Sequence, residues 1–226
     1  MPIPTLHADV LPPDDAALAD RIAARDERAF ETLMRRHNRM LYRLARSILR
    51  DDAEAEDALQ DAYLAAYRGI GSFRGGARLS TWLARIVINA AYARLRKRTA
   101  TGEIVSIHAD FEVHGGAIND DTTESPENAA MRSELRALLI QKIDALPEPF
   151  RVVYVMRDVE EMSVEETAAC LDLPEATVRT RAFRARALLR EALAREIDAA
   201  TVDAFGFDGE RCDRIVAAVL ARLRTP

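Results

Sequence analysis

The sequence predicts an all-α protein: two small helical domains joined by a flexible acidic linker. Three observations carry this. Ala, Leu, Arg and Glu dominate while aromatic residues make up only 6%, a balance that favours helices over strands. Apolar residues recur at helical spacing in two separate blocks. Between the blocks lies a stretch with neither Lys nor Arg and no sustained period. A chain of 226 residues, 49% of them hydrophobic, suits one large or two small domains with packed cores.

The first block is expected over 14–98. Phe30, Leu33, Met34, Leu41, Leu44 and Ile48 share one apolar helix face. DDAEAEDALQDAYLAAYRGI reads as the next helix, acidic at its start, where the helix dipole favours negative charge. FRGGAR interrupts with Gly75 and Gly76. STWLARIVINAAYARLRKR resumes the pattern, with Ser80 as the expected N-cap and Trp82, Ile86, Val87 and Ala90 as the expected buried side.

Residues 99–128 form the expected linker. It holds seven acids (Glu103, Asp110, Glu112, Asp120, Asp121, Glu124, Glu127), three glycines and one proline, a composition that resists packing. A strand pair inside it, EIVSI with DFEVH, is the lesser alternative. The second block is expected over 129–196, with helical pattern from Pro126 onward. Leu135, Leu138, Leu139, Ile143 and Leu146 give one face, ended by Pro147 and Pro149. PFRVVYVMRDV fits a helix, with a strand as the competing reading because of its β-branched residues. Ser163 and Glu166 make a capping box at the start of the next helix. Asp172 to Pro174 make a turn, and Pro174 sits at the edge of the helix that follows. A C-terminal extension, 197–226, ends in the amphipathic CDRIVAAVLARL; packing of its stripe (Ile215, Val216, Val219, Leu220, Leu223) on the second domain is preferred over binding a regulator.

Several classes are disfavoured. The start, MPIPTLHADVLPPDD, has no basic end and no apolar run, unlike a signal peptide. No stretch nears the roughly 20 apolar residues of a membrane span. Cys170 and Cys212 lack metal or redox spacing, which points to a reducing, cytoplasmic compartment. Cys170 is expected in the core of the second domain. His7, His37, His108 and His114 are scattered, and no GxSxG, P-loop, GxGxxG or HExxH occurs, so no catalytic residue, metal or cofactor is expected.

The chain is net acidic, 32 Lys+Arg against 37 Asp+Glu, yet LPEATVRTRAFRAR, 173–186, packs four arginines into eight positions. At 100° per residue, Val178, Ala182, Ala185 and Leu189 form a narrow core stripe. Thr177, Arg179, Thr180, Arg181, Phe183 and Arg184 lie off it. Such a face can bind phosphates, read base edges and touch a thymine methyl. The same charges would suit a merely solvated helix. The position after a capped helix and a short turn, which is helix-turn-helix grammar, favours DNA. A second basic run, RLRKR at 94–98, ends the first block. A linker of this length could stretch to about 90 Å, enough for two contacts about 25 base pairs, or 85 Å, apart.

These segments resemble a known family. DDAEAEDALQDAYLAAYRGIGSFRGGARLSTWLARIVINAAYARLRKR is similar to the second region of sigma-70 family factors, and ALPEPFRVVYVMRDVEEMSVEETAACLDLPEATVRTRAFRARALLREAL to their fourth. The short two-domain form resembles the extracytoplasmic-function (ECF) group of RNA polymerase sigma factors. The resemblance implies that the chain binds core RNA polymerase and promoter DNA without inserting in a membrane, and offers an anti-sigma factor as a further partner. It implies docking on core enzyme through Asp57, Gln60, Asp61 and Leu64, which share one helix face. For the −10 element it implies Phe73, Arg74, Arg78, Ser80 and Asn89, with Arg94, Arg96, Lys97 and Arg98 on phosphates. For the −35 element it implies Thr177, Arg179, Thr180, Arg181, Phe183 and Arg184. The alternative is a stand-alone helix-turn-helix regulator that binds DNA without polymerase; a third class is a pure protein-interaction adaptor.

Overall fold

In the computed structural model, which describes residues 13–100, 126–204 and 209–223, every regular element among the described residues is helical. The first block is α1 (Pro13–Ala23), α2 (Glu27–Leu49), α3 (Asp52–Gly69) and α4 (Leu79–Ala100). Local chemistry sets the boundaries. Asp26 caps α2 by accepting from Ala29 N at 3.1 Å, and Arg21 holds the same carboxylate at 2.7 Å. Arg50, at φ 57°, ends α2 in the left-handed region. One residue later Asp51 caps α3 through Glu54 N at 2.9 Å. The turn between α2 and α3 is therefore very short, and the two helices run back on each other.

The start of α4 differs from expectation. Ser80 does not cap it, because the helix begins one residue earlier and Trp82 N already bonds Arg78 O. Its orphan Leu79 N–H instead donates to Asp15 Oδ2 of α1 at 3.3 Å, a cap supplied by another helix. The buried side also differs. Leu83, Ala84, Val87, Ile88 and Ala91 are buried, while Trp82, Ile86 and Ala90 are half-buried at the rim. α4 packs on α2 and α3 on one side and on the second block on another, so more than one face is apolar.

The second block comprises α5 (Pro126–Asp144), α6 (Glu148–Tyr154), a π-helical turn (Val155–Val159), α7 (Val164–Leu171) and the start of α8 (Glu175–Ala204). The β-branched segment is helical, and Val152, Val153, Val155 and Met156 are buried. Thr99 and Ala100 belong to α4, and α5 begins at Pro126; the rest of the expected linker, with its candidate strand pair, lies outside the described residues. α5 buries less than its stripe suggests: Met131 and Leu135 are exposed and only Leu146, just beyond its end, is fully covered.

The chain divides into two compact units between Arg186 and Ala187, and both helical blocks lie in the first. There they share one core. Val152, Val155, Met156, Met162 and Cys170 join the cluster formed by α1–α4. Cys170 thus packs toward the first block, with its Sγ 3.5 Å from Thr81 O, and not within the second domain's own core of Val153, Ala168, Val178 and Ala182. Each such buried apolar side chain is worth about 1.5–3 kcal/mol.

The second unit, 187–226, holds the remainder of α8 and α9 (Gly209–Leu223). Of the α9 stripe, Ile215, Val216, Val219 and Leu220 are each about half exposed, 45–51%; the Leu223 side chain lies outside the described residues.

Candidate nucleic-acid interface

The helix-turn-helix is built as its residues require. Ser163 Oγ accepts from Glu166 N at 3.0 Å and Glu166 Oε2 accepts from Ser163 N at 2.8 Å, completing the capping box of α7. Asp172 ends α7 at φ 53°, and α8 starts after Pro174, whose carbonyl accepts from Thr177 N and Val178 N. Val178, Ala182, Ala185 and Leu189 are buried, as the helical wheel requires. That rotates Phe183 (67% exposed), Arg179, Thr180 and Arg184 outward, with Thr177 and Arg181 half-buried beside them.

Polar groups on this face keep free capacity. The Thr180 hydroxyl bonds Ala176 O at 2.8 Å, and Arg179 pairs, among the described residues, with exposed Glu175 at 2.6 Å. An exposed pair of that kind is worth at most about 1 kcal/mol, so it yields readily to a phosphate. An open cleft of about 500 Å³ lies between the start of α6 and α8, lined by Pro149, Phe150, Thr177, Thr180, Arg181 and Arg184.

The loop between α3 and α4 is the second candidate surface. Gly75 has φ 70°, which a side chain disfavours, and a Cβ built on Gly76 meets nothing within 4 Å, so the loop tip faces open space. Arg74 and Arg78 are exposed. Phe73 is half-buried with its ring 5.7 Å from that of Trp82, a pair that anchors the loop to α4. Ser80 is half-buried in a cleft of about 340 Å³ with Asp15, Arg78, Glu160 and Glu166. Asn89, Arg94, Lys97 and Arg98 line a separate groove of about 1160 Å³ between α3 and α4, and Arg96 is exposed.

The structure brings one of these residues to an unanticipated place. Arg94 does not stay with the basic end of α4. It bonds Asp61 at 2.8 Å, Glu54 at 3.1 Å and Asp57 at 3.2 Å on α3. The Asp61 hydrogen bond, ahead of the cost of burial, raises its already high pKa. Asp57, Gln60, Asp61 and Leu64 do share an exposed face, Leu64 at 55%. Two of its carboxylates are held in register by Arg94.

Sequence reasoning missed the contacts between the blocks. Arg46 makes a paired contact with Asp144 at 2.9 Å and 3.3 Å, and Arg43 meets Glu160 at 2.9 Å. Tyr92 Oη donates to Glu148 at 2.5 Å and Thr81 Oγ1 to Glu166 at 3.0 Å. Arg151 is 3% exposed; its Nε donates to Ser47 O, an orphan carbonyl at the end of α2, at 2.6 Å. Burial lowers its pKa to about 10. No local pattern marks Arg151 as buried; an arginine beside a valine pair is only a weak hint.

Comparison with known proteins agrees with this division. Residues 33–101 match the Sigma-70 region 2 family and residues 136–189 match Sigma-70, region 4. The chain is 36% identical over 174 residues to the RNA polymerase sigma-H factor of Pseudomonas aeruginosa, covering 76% of this chain and 89% of that one. It is 34% identical over 174 residues to the ECF RNA polymerase sigma-E factor of Escherichia coli, covering 76% and 90%. Among solved structures, CnrH in complex with the cytosolic domain of CnrY aligns with TM-score 0.58 at 27% identity, over 80% of this chain and 97% of that one. The sigma factor RpoE of Bartonella quintana, in complex with the anti-sigma factor NepR, shares the fold with TM-score 0.56 at 23% identity, over 73% and 96%. With the two family regions in order and about a third of the aligned residues identical along nine tenths of such relatives, the chain belongs to the sigma-70 family of RNA polymerase sigma factors, in the ECF group.

Proposed function

We propose that the chain is a non-catalytic initiation subunit that binds core RNA polymerase and directs it to promoters through −10 and −35 contacts. The observation that carries this is the pairing, in one chain, of an exposed Arg–Thr–Phe face on α8 with an exposed acidic face on α3. A stand-alone regulator needs only the first. In this reading 14–98 docks on polymerase and opens the −10 element, while 129–196 reads the −35 element. Asp57, Gln60, Asp61 and Leu64 meet core enzyme, where charge gives orientation and on-rate more than affinity. Arg74, Arg78, Asn89, Arg96, Lys97 and Arg98 face the −10 DNA, Ser80 lies beside them, and Phe73 shapes the loop. Arg94 organises the docking acids as well as ending the basic run. Thr177, Arg179, Thr180, Arg181, Phe183 and Arg184 face the −35 element.

A polymerase-bound promoter role supports a cytoplasmic site of action. No helix among the described residues is long and apolar enough to cross a membrane. By likeness to CnrH, solved in complex with the cytosolic domain of CnrY, a protein partner of the anti-sigma kind is proposed for this chain as well. The test is transcription from a promoter library with core enzyme. Promoter-specific transcripts that require the chain are expected. DNA binding by the chain alone, with no transcript gained on adding core enzyme, would favour the stand-alone regulator.

A further inference from the structure

We propose that Asp158 is a positioning residue for −35 reading: from a π-helical turn it holds Arg186 and so fixes the rotation of α8 against the DNA. The inference rests on the −35 role given to α8 above. It adds a residue that acts through α8 rather than on a base.

Three observations meet at Asp158. The first is the turn itself. The segment after α6 widens at Val155–Val159, where Glu160 N donates to Val155 O, five residues back, at 2.9 Å. Single π-turns of this kind are frequent at functional sites. Val155 and Met156 stay in the core, while the Asp158 side chain, 20% exposed, meets α8. The second is the bond made there: Asp158 Oδ1 accepts from Arg186 Nε at 2.6 Å. The third is the other oxygen, Oδ2, which is buried with no hydrogen-bond partner among the described residues. A buried carboxylate oxygen left unpaired is destabilising, and an ion pair with a half-exposed arginine adds little stability. The arrangement therefore serves placement more than stability.

α8 needs such a tie. Its core stripe is Val178, Ala182, Ala185 and Leu189. The two alanines in the middle present little relief, and helix register depends on side chains that interlock. A stripe so smooth resists rolling weakly. A roll of about 20° carries a side-chain tip about 6 Å from the axis through about 2 Å. Paired bonds to a base edge need donor–acceptor distances of about 2.7–3.2 Å, so such a roll breaks them. Arg186 follows Arg179 by seven residues and Phe183 by three, spacings that put all three on one flank of a helix. Holding Arg186 against the π-turn thus sets the direction of Arg179 and Phe183. A long arginine side chain can follow a phosphate through a shift of this size. The tie therefore acts on selectivity, which base contacts carry, before it acts on affinity.

The test is holoenzyme binding to a promoter recovered from the library and to single-base variants of its −35 element. Asp158→Ala should reduce the ratio of affinities between recovered and variant elements about tenfold. The slope of log affinity against log salt, which counts phosphate contacts, should match the native one. Arg186→Ala should lose the same ratio, and the double variant no more than either, because both remove one interaction. Asp158→Asn keeps the side-chain volume and decides the matter if the alanine variant misfolds; without the ion pair it should lose about threefold. Native ratios in folded Asp158 variants would overturn the proposal and leave the −35 role standing. So would an Arg186→Ala salt slope lowered by about one beside an unaltered Asp158→Ala, since Arg186 would then be a phosphate contact. A native holoenzyme with no preference among −35 elements would instead overturn the −35 role of α8, and the positioning role with it.

Discussion

Arg94 and Arg184 carry the same guanidinium, yet their surroundings assign them different work. Arg184 lies on an exposed helix face with an open cleft beside it. Its truncation, Arg184→Ala, should weaken recognition of the −35 element by about 1–3 kcal/mol if the contact is bidentate to a base. Holoenzyme binding to −35 variants at fixed salt would read this, and an unchanged preference would remove Arg184 from the reading set. Arg94, by contrast, is committed to Glu54, Asp57 and Asp61. Arg151 is a third case, because it serves carbonyls. Arg151→Met would leave Ser47 O, Asp144 O and Leu146 O short of a donor in a buried seam. A loss of about 2–4 kcal/mol is expected. Urea unfolding should show a lower midpoint with a similar slope.

At the scale of elements, α3 shows how a tertiary contact changes an experiment. Reversing Asp57 and Asp61 to lysine reads from sequence as a clean test of docking. In the folded protein both substitutions would also set like charges against Arg94 and disturb the α3–α4 pair. Leu64 avoids that problem: it is exposed on the same face and holds nothing in place. Leu64→Ala should reduce core-enzyme affinity about tenfold, the worth of one buried leucine at an interface, while the thermal midpoint stays unchanged. Equal affinity would move the docking face elsewhere. α7 and α8 were legible at this scale, since the capping box, the turn and the core stripe are local patterns that the fold obeys. The start of α4 was not. Its cap, Asp15, comes from a helix more than sixty residues earlier.

For the whole molecule, the extension offers the clearest expectation. Ile215, Val216, Val219 and Leu220 of α9 are each about half exposed, and deletion of 200–226 is expected to cost the rest of the chain little stability. The thermal midpoint of the remaining chain should move by no more than a degree or two, within the range of surface changes. Calorimetry of both forms would check it; a large fall would mean the stripe is covered in solution. Composition, helical period and capping residues determined by themselves that the protein is all-α, that an acidic segment parts two blocks, and that α8 turns arginines and a phenylalanine outward. These properties depend on neighbours within one or two helical turns, so sequence suffices for them. Tertiary structure alone decided that the two blocks share a core, that Cys170 faces the first of them, that Arg94 grips α3 and that Arg151 is buried. Each of those depends on groups distant in sequence meeting in space, where an arginine's role is set by the charges and carbonyls that packing brings to it.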